Sequence, residues 1–350
     1  MNQKIFLFGC WNKNQCLEGA EHDPRGEVFQ LLADEPPKYD FGILLGDNIY
    51  PHKIKSKKRT KRKLTLKKFL ESNVRKYRDI KRISDQITNN KYQKNLHVIL
   101  GNHDVEKRCV EQNQIRHFNS GNSSIYPKNT IFETDSAVFL FLNTNNIGEL
   151  LDFLHSFNPD MMKDRWLILC GHDPIYSYKP KIKKKKGKTK VRLFQKIDEL
   201  KYIFGAISDI NYTKMAYVCA DTHNYQLIEV GYLTEEYQLA FPVIVIGTGG
   251  AKPDPLDNVE ENKTHFDDDT ELHVGVIDSE SPYGFVEMDI SKDSLDVNYK
   301  KCGSINKANI FYNKRKDEIT YTIDKEESEC ELPKPSCLLD NSEPYNIEIC

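Results

Sequence analysis

A chain of 350 residues, 39% of them hydrophobic, can bury a sizeable core as one large domain or two small ones. Its 50 Lys and Arg against 52 Asp and Glu leave a formal net charge of −2, so overall charge names no partner class. No apolar run approaches the ~18 residues of a membrane span, and the apolar stretch within the opening MNQKIFLFGCWNKN is too short for a secretory signal.

The expected location is therefore the cytoplasm, with the nucleus second, and not the secretory route. In a reducing compartment the nine cysteines are mostly free thiols. In chain order, KIFLFG reads as the first strand and GEVFQLLAD as a helix, followed by a strand at FGILLG. A helical LTLKKFLESNVRKYRDIKRI precedes the strand LHVILG. AVFLFLN, the helix ELLDFLHSF and the strand WLILCG come next, then the helical LFQKIDELKYIFGAI and the strands MAYVCA and FPVIVIG. Beyond Gly250 the helical signal fades. GFVEMDI and SLDVNYKK alternate like an antiparallel pair, NIFYNK and EITYTID like another, and from Lys325 a polar, proline-bearing segment reads as a loose tail. Strand alternating with helix predicts an α/β architecture whose site lies at the carboxyl ends of the strands.

Charge is unevenly spread. Residues 53–68 hold ten basic residues and 179–192 hold nine, with no acidic residue in either, leaving 31 basic against 52 acidic elsewhere. The chain is an acidic body with two basic segments. The plain reading of each is a solvated, mobile insertion. The functional one is a rim that draws in nucleic acid or another phosphorylated polyanion, and both segments also resemble nuclear-localisation runs.

Asp47, Asn102, His172 and His223 each lie within two residues of the end of an apolar run. Carboxylate, amide carbonyl and imidazole suit Fe, Mn, Zn or Mg. An aspartate can bridge two ions, and a two-metal site can hold both the attacking and the leaving oxygen of a phosphoryl transfer. The glycines preceding these motifs are expected to let the chain turn sharply out of each strand.

Taken in order, GDNIY (46–50), GNHD (101–104), GHDPIYS (171–177), DTHN (221–224) and VIVIGTGGA (243–251) resemble the motifs of calcineurin-like metallophosphoesterases. The forms GDNIY, GHDPIYS and the late GTGG are most similar to the purple, or tartrate-resistant, acid phosphatase branch. The resemblance spans roughly residues 4–301. It implies a four-layer α-β-β-α sandwich with two mixed sheets, a metallophosphoesterase domain over 1–301 carrying the basic insertions, and a C-terminal extension over 302–350. It also implies a phosphoesterase, with monoesters the leading substrates, acting by attack of a metal-bound hydroxide, with two metal ions (Fe, Zn or Mn) as cofactors and no membrane partner. Asp47 would bridge the ions, Tyr50 and His223 would bind the first, and Asn102 and His172 the second. His103 would protonate the leaving oxygen and Asp104 would orient it.

Two positions depart from the pattern. The first strand ends in GCWN, placing Cys10 where the family has a metal-binding aspartate, and ADTHN places Asp221 where it has a histidine ligand of the second ion. Asp221 keeps a ligand, whereas Cys10 is either a thiolate ligand or a small buried bystander. Asn12 is a weaker replacement, and His22 and Asp23 read as surface residues. The runner-up is therefore a degenerate, non-catalytic binding protein on the same fold. A nuclease acting on diesters is the second alternative, resting on the basic segments alone.

Overall fold

The computed structural model describes residues 2–11, 28–29, 31–32, 39–50, 95–106, 108–119, 122–185, 188–196, 200–233, 238–256, 259, 261, 264–267, 272–280 and 283–327. The basic segment 53–68, the helical stretch 64–83, Asn12, His22, Asp23 and the tail beyond 327 lie outside the described residues.

Two mixed sheets of eight strands pack face to face. In the first, β1 (Gln3–Phe8), β2 (Phe41–Leu44), β3 (Leu96–Ile99) and β4 (Ser123–Tyr126) run parallel. The second carries β5 (Thr130–Glu133), β6 (Ala137–Phe141), β7 (Trp166–Cys170), β10 (Met215–Cys219), β11 (Tyr225–Leu233), β12 (Gln238–Ile246), β13 (Thr264–Asp267) and β14 (Leu272–Glu280). Its order is β13-β14-β11-β12-β10-β7-β6-β5, with β6, β7, β10 and β12 parallel. The chain then returns to the first sheet with β15 (Gly284–Ile290), antiparallel to β1. From there β16 (Ser294–Lys301), β17 (Ser304–Asn313) and β18 (Glu318–Glu327) form an antiparallel meander to its edge.

Strands covered on both faces need apolar residues throughout, and β6 shows how they divide. Phe139 and Phe141 join the core between the sheets, with Phe41 of β2 and Ile244 of β12. Val138 and Leu140 point the other way, toward Leu150 and Leu154 of α2 (Ile147–His155) and Phe204 of α3 (Leu200–Asp209). Asn146 caps α2, its side chain accepting from the Glu149 N–H. The helix α1 (Arg108–Phe118) packs beside β4 on the first sheet. Among the described residues no helix is long and apolar enough to cross a membrane.

The second basic segment differs from expectation. It is not an irregular loop but a two-stranded ribbon, β8 (Tyr176–Lys185) with β9 (Lys188–Lys196). Pairing of Phe194 with Tyr178 draws residues 194–196 into the ladder, so of the helix predicted from Leu193 only Leu200–Asp209 is described as helical. Among the described cysteines, Cys10, Cys170 and Cys219 are free and buried, while Cys302 is disulfide-bonded.

Candidate metal centre

The carboxyl ends of the parallel strands of both sheets meet. The Leu45 N–H donates to Phe8 O (2.9 Å) and the Cys10 N–H to Gly46 O (3.1 Å), joining the exits of β1 and β2. The Gly9 N–H donates to Ile246 O (2.9 Å) and the Ala251 N–H to Cys10 O (2.9 Å), tying in the exit of β12. The Ala220 N–H reaches His172 O (2.9 Å), linking β10 to β7.

Only some of the glycines act as turn formers. Gly46 has φ 86°, but Gly101 has no such backbone and is needed for space: a Cβ there would lie 2.4 Å from Asp47 Oδ1. The sharp turns fall on the functional residues themselves. Cys10 (φ 55°), Asp47 (φ 54°) and Asp221 (φ 48°) are left-handed, a conformation that costs a non-glycine residue about 1–2 kcal/mol and collects at functional sites.

One ligand atom each from Cys10, Asp47 and His172 lies within 4.8 Å of the others, and all three residues are buried. His172 anchors its Nδ1 on Leu45 O (2.7 Å), and its Nε2 stands 3.3 Å from Asp47 Oδ1, buried and without a hydrogen bond. That is the arrangement of a metal-ligating imidazole, held through one nitrogen by a backbone carbonyl. The Tyr50 ring is buried against His103, centroids 4.7 Å apart. Burial, then Cys10 and Asp47, raise its hydroxyl well above the usual phenol range.

The remaining predicted residues form a second line of contacts. Asn102 Nδ2 donates to Asp221 Oδ1 (3.4 Å), and Lys179 Nζ lies 3.5 Å from Asp221 Oδ2 and 3.2 Å from Asp254 Oδ2. Asp254 in turn accepts from the His223 N–H (3.0 Å), and His223 Nδ1 lies 3.0 Å from Lys252 O. His223 thus stands at the far end of this line, outside the three-residue cluster.

Asp104 does not orient His103. It is fully buried and staples two loops, accepting from the N–H groups of Gly101 (2.8 Å), Asn48 (3.1 Å) and Ile49 (2.8 Å) and from the Gln114 amide (3.2 Å). The carboxylate at the His103 ring is Glu106, 2.7 Å from Nδ1, while the His103 backbone N–H donates to Asp47 Oδ1 (3.1 Å). Asp104 is the wrong partner because its side chain turns inward beneath the GNHD turn, whereas Glu106 shares the half-exposed rim with the imidazole.

The electrostatics are those of a cation site. Burial, then Asp47 and Asp221, push the Cys10 thiol well up, and burial and Asp47 lift Asp104 to about 7. Burial alone would lower His172, yet Asp47, Asp173 and Asp221 outweigh it and raise the imidazole to about 9. Lys179 is likewise raised, burial being overcome by Asp221 and Asp254. A bound dication inverts this logic and favours thiolate and carboxylate. The donor set therefore fits a metal ion.

Sequence reasoning missed Lys179, Glu106 and Asp254. Lys179 was hidden in a basic run and Asp254 in an acidic one. Glu106 did carry a signal, its place three residues after His103.

A family model described as calcineurin-like phosphoesterase matches residues 4–206. Among solved structures, one described as the structure of PhoD aligns over 92% of this chain and 71% of its own, with TM-score 0.53 and 12% identity. Another, Vacuolar Protein Sorting 29 from Cryptosporidium parvum, aligns over 93% and 99% with TM-score 0.33 and 9% identity. No curated protein matches the chain.

Proposed function

The chain belongs to the calcineurin-like phosphoesterase family, and from that premise we propose that it is a metal-dependent phosphoesterase acting on phosphate monoesters. The observation that carries this is the buried Cys10–Asp47–His172 cluster, with the hydrogen-bond-free Nε2 of His172 beside Asp47. These three would hold the metal, with Tyr50, Asn102, Asp221 and His223 arranged around them. Metal bound there would polarise phosphoryl oxygens and make water acidic enough to attack. A thiolate beside carboxylate and imidazole favours zinc or iron over magnesium.

The chain's own groups supply the rest. His103, at the half-exposed rim and tethered through Nδ1 to Glu106, would give a proton to the leaving oxygen from Nε2, a reading the tether supports. The exits of both sheets wall the site with backbone held by hydrogen bonds, which fixes these groups before substrate arrives. The forms GDNIY and GHDPIYS support the acid phosphatase branch within the family.

The degenerate binding protein remains the second reading, favoured by the thiol at a carboxylate position and by Asp221, whose two oxygens already face Asn102 and Lys179. Purified full-length protein should carry zinc, iron or manganese and hydrolyse an aryl phosphate. Asp47→Ala and Cys10→Ala should each lose metal and turnover together. Protein that binds none of these metals and leaves the ester intact would sink the enzyme reading.

A further inference from the structure

We propose that the ammonium of Lys179 serves as a built-in cation in the place of a second metal ion, so that the centre holds a single ion at Cys10, Asp47 and His172. This rests on the reading of that cluster as a metal centre. Catalysis by a metal pair depends on placing two positive charges against the attacking and leaving oxygens. Here the position where the family pattern expects a second-ion histidine is Asp221, and a lysine is seated on it.

The seat is built. Lys179 Nζ lies 3.2 Å from the Asp221 carbonyl oxygen, 3.5 Å from its Oδ2 and 3.2 Å from Asp254 Oδ2, and its side chain is 16% exposed. Asp221 Oδ1 faces the Asn102 amide at 3.4 Å. Both oxygens of the Asp221 carboxylate therefore already face donors, and Asp221 and Asp254 share the Lys179 ammonium as counter-charge.

The backbone explains how a residue from a basic ribbon comes to point inward. The β8–β9 ladder shifts register between Tyr178 and Lys181, leaving Lys179 and Pro180 outside the pairing. Such bulges re-aim side chains beside active sites, and a proline, with no N–H to give the ladder, suits one. The anchor just before the bulge is rigid: Gln226 accepts from the Tyr178 N–H (2.7 Å) and donates to its carbonyl (2.9 Å), and Ser177 Oγ meets Thr222 Oγ1 at 2.7 Å. The lysine is thereby aimed at Asp221.

An ammonium in this place would act on substrate as a point charge that binds a phosphoryl oxygen. It would also exclude a second dication by repulsion. The two effects together turn a two-metal design into a metal-and-lysine one without loss of the second positive charge.

The test is metal stoichiometry, read on the full chain equilibrated with manganese by elemental analysis and by electron paramagnetic resonance. Wild type should hold one ion per chain with an uncoupled manganese spectrum. Lys179→Met, which keeps the stem and removes the charge, should take up a second ion and show an exchange-coupled pair. Lys179→Arg should remain at one and serves as the charge-preserving control. A wild-type pair, or a Lys179→Met variant that folds and still binds one ion, would overturn the substitution while leaving the phosphoesterase reading standing. Should Lys179→Met fail to fold, the wild-type stoichiometry decides alone. Wild type with no metal would instead defeat the underlying metal centre.

Discussion

At the scale of single residues, position after a strand made most of the site readable. Asp47, Asn102, His172 and His223 each lie near the end of an apolar run; Asp47 and His172 fall in the three-residue cluster, while Asn102 and His223 lie on the line of contacts beside it. What the sequence did not reveal were contacts that depend on how a turn is twisted. Asp104 follows His103 in sequence, yet its side chain is buried under the turn, and Glu106 holds the imidazole. Cys10 was legible as a departure, with the thiolate-ligand and buried-bystander readings both open. Its left-handed φ of 55° and its place within 4.8 Å of Asp47 and His172 come only from the folded loop. The general-acid assignment makes a graded prediction. His103→Ala should cost about 10²–10⁴-fold in turnover of an ester with a poor leaving group, and much less with an activated aryl leaving group, which needs little protonation. Glu106→Gln, which keeps a tether without the charge, should give a smaller loss of the same leaving-group dependence. Metal content should stay at the wild-type level in both variants. Equal losses on the two esters would show that His103 acts by something other than proton donation.

At the scale of elements, the strands that enter the site were legible because they are buried on both faces and read as continuous apolar runs, as in β7 and β10. Some of the strands that were missed alternate or lie at edges: β14 reads LHVGVIDSE with every other residue half-buried, and β5 is a partly exposed edge strand. The basic ribbon β8–β9 was missed because its lysines overrode the period-2 pattern beneath. Its register sets Lys181 opposite Arg192, Lys183 opposite Lys190 and Lys185 opposite Lys188. Like charges directly opposite destabilise a pair of strands, and we propose that a bound polyanion would relieve these three pairs. Lys183→Glu should turn one repulsive pair into an attractive one and stabilise the ribbon by about 0.2–1 kcal/mol, read as slower proteolysis between residues 179 and 196. It should also weaken binding to duplex nucleic acid and make that binding less sensitive to salt. Undetectable binding by wild type at low salt would leave the ribbon without a polyanion partner.

At the scale of the whole molecule, the first sheet has two halves of different character, a parallel half whose strands end at the site and an antiparallel meander behind it. They meet where β15 pairs with β1, and each carries a charge across that seam. Glu287 of β15 takes Lys4 of β1 at 2.8 Å and Lys300 of β16 at 3.0 Å, and the Tyr39 hydroxyl donates to it at 3.0 Å. Burial pushes the Glu287 carboxyl up, but the two lysines outweigh it and hold it below the usual 4.5. A carboxylate with a depressed folded-state pKa stabilises the fold above its unfolded pKa of about 4.3 and loses that contribution as pH falls through the folded value. Glu287→Gln should therefore destabilise the protein at pH 7 by about 1–3 kcal/mol, the cost of leaving buried partners unpaired. The gap to wild type in denaturant unfolding should close as pH falls through the depressed folded-state value, where the wild-type carboxyl becomes protonated and neutral as well. Taking the difference between the two proteins at each pH cancels the titration of the metal cluster, which both share. The coupling should reach the site, because β1 leads directly into Cys10: at pH 7 the variant should release metal at a lower denaturant concentration than wild type. A stability gap that stays constant from pH 7 down through the whole acid range in which the protein remains folded would mean that Glu287 acts through packing and not through its charge.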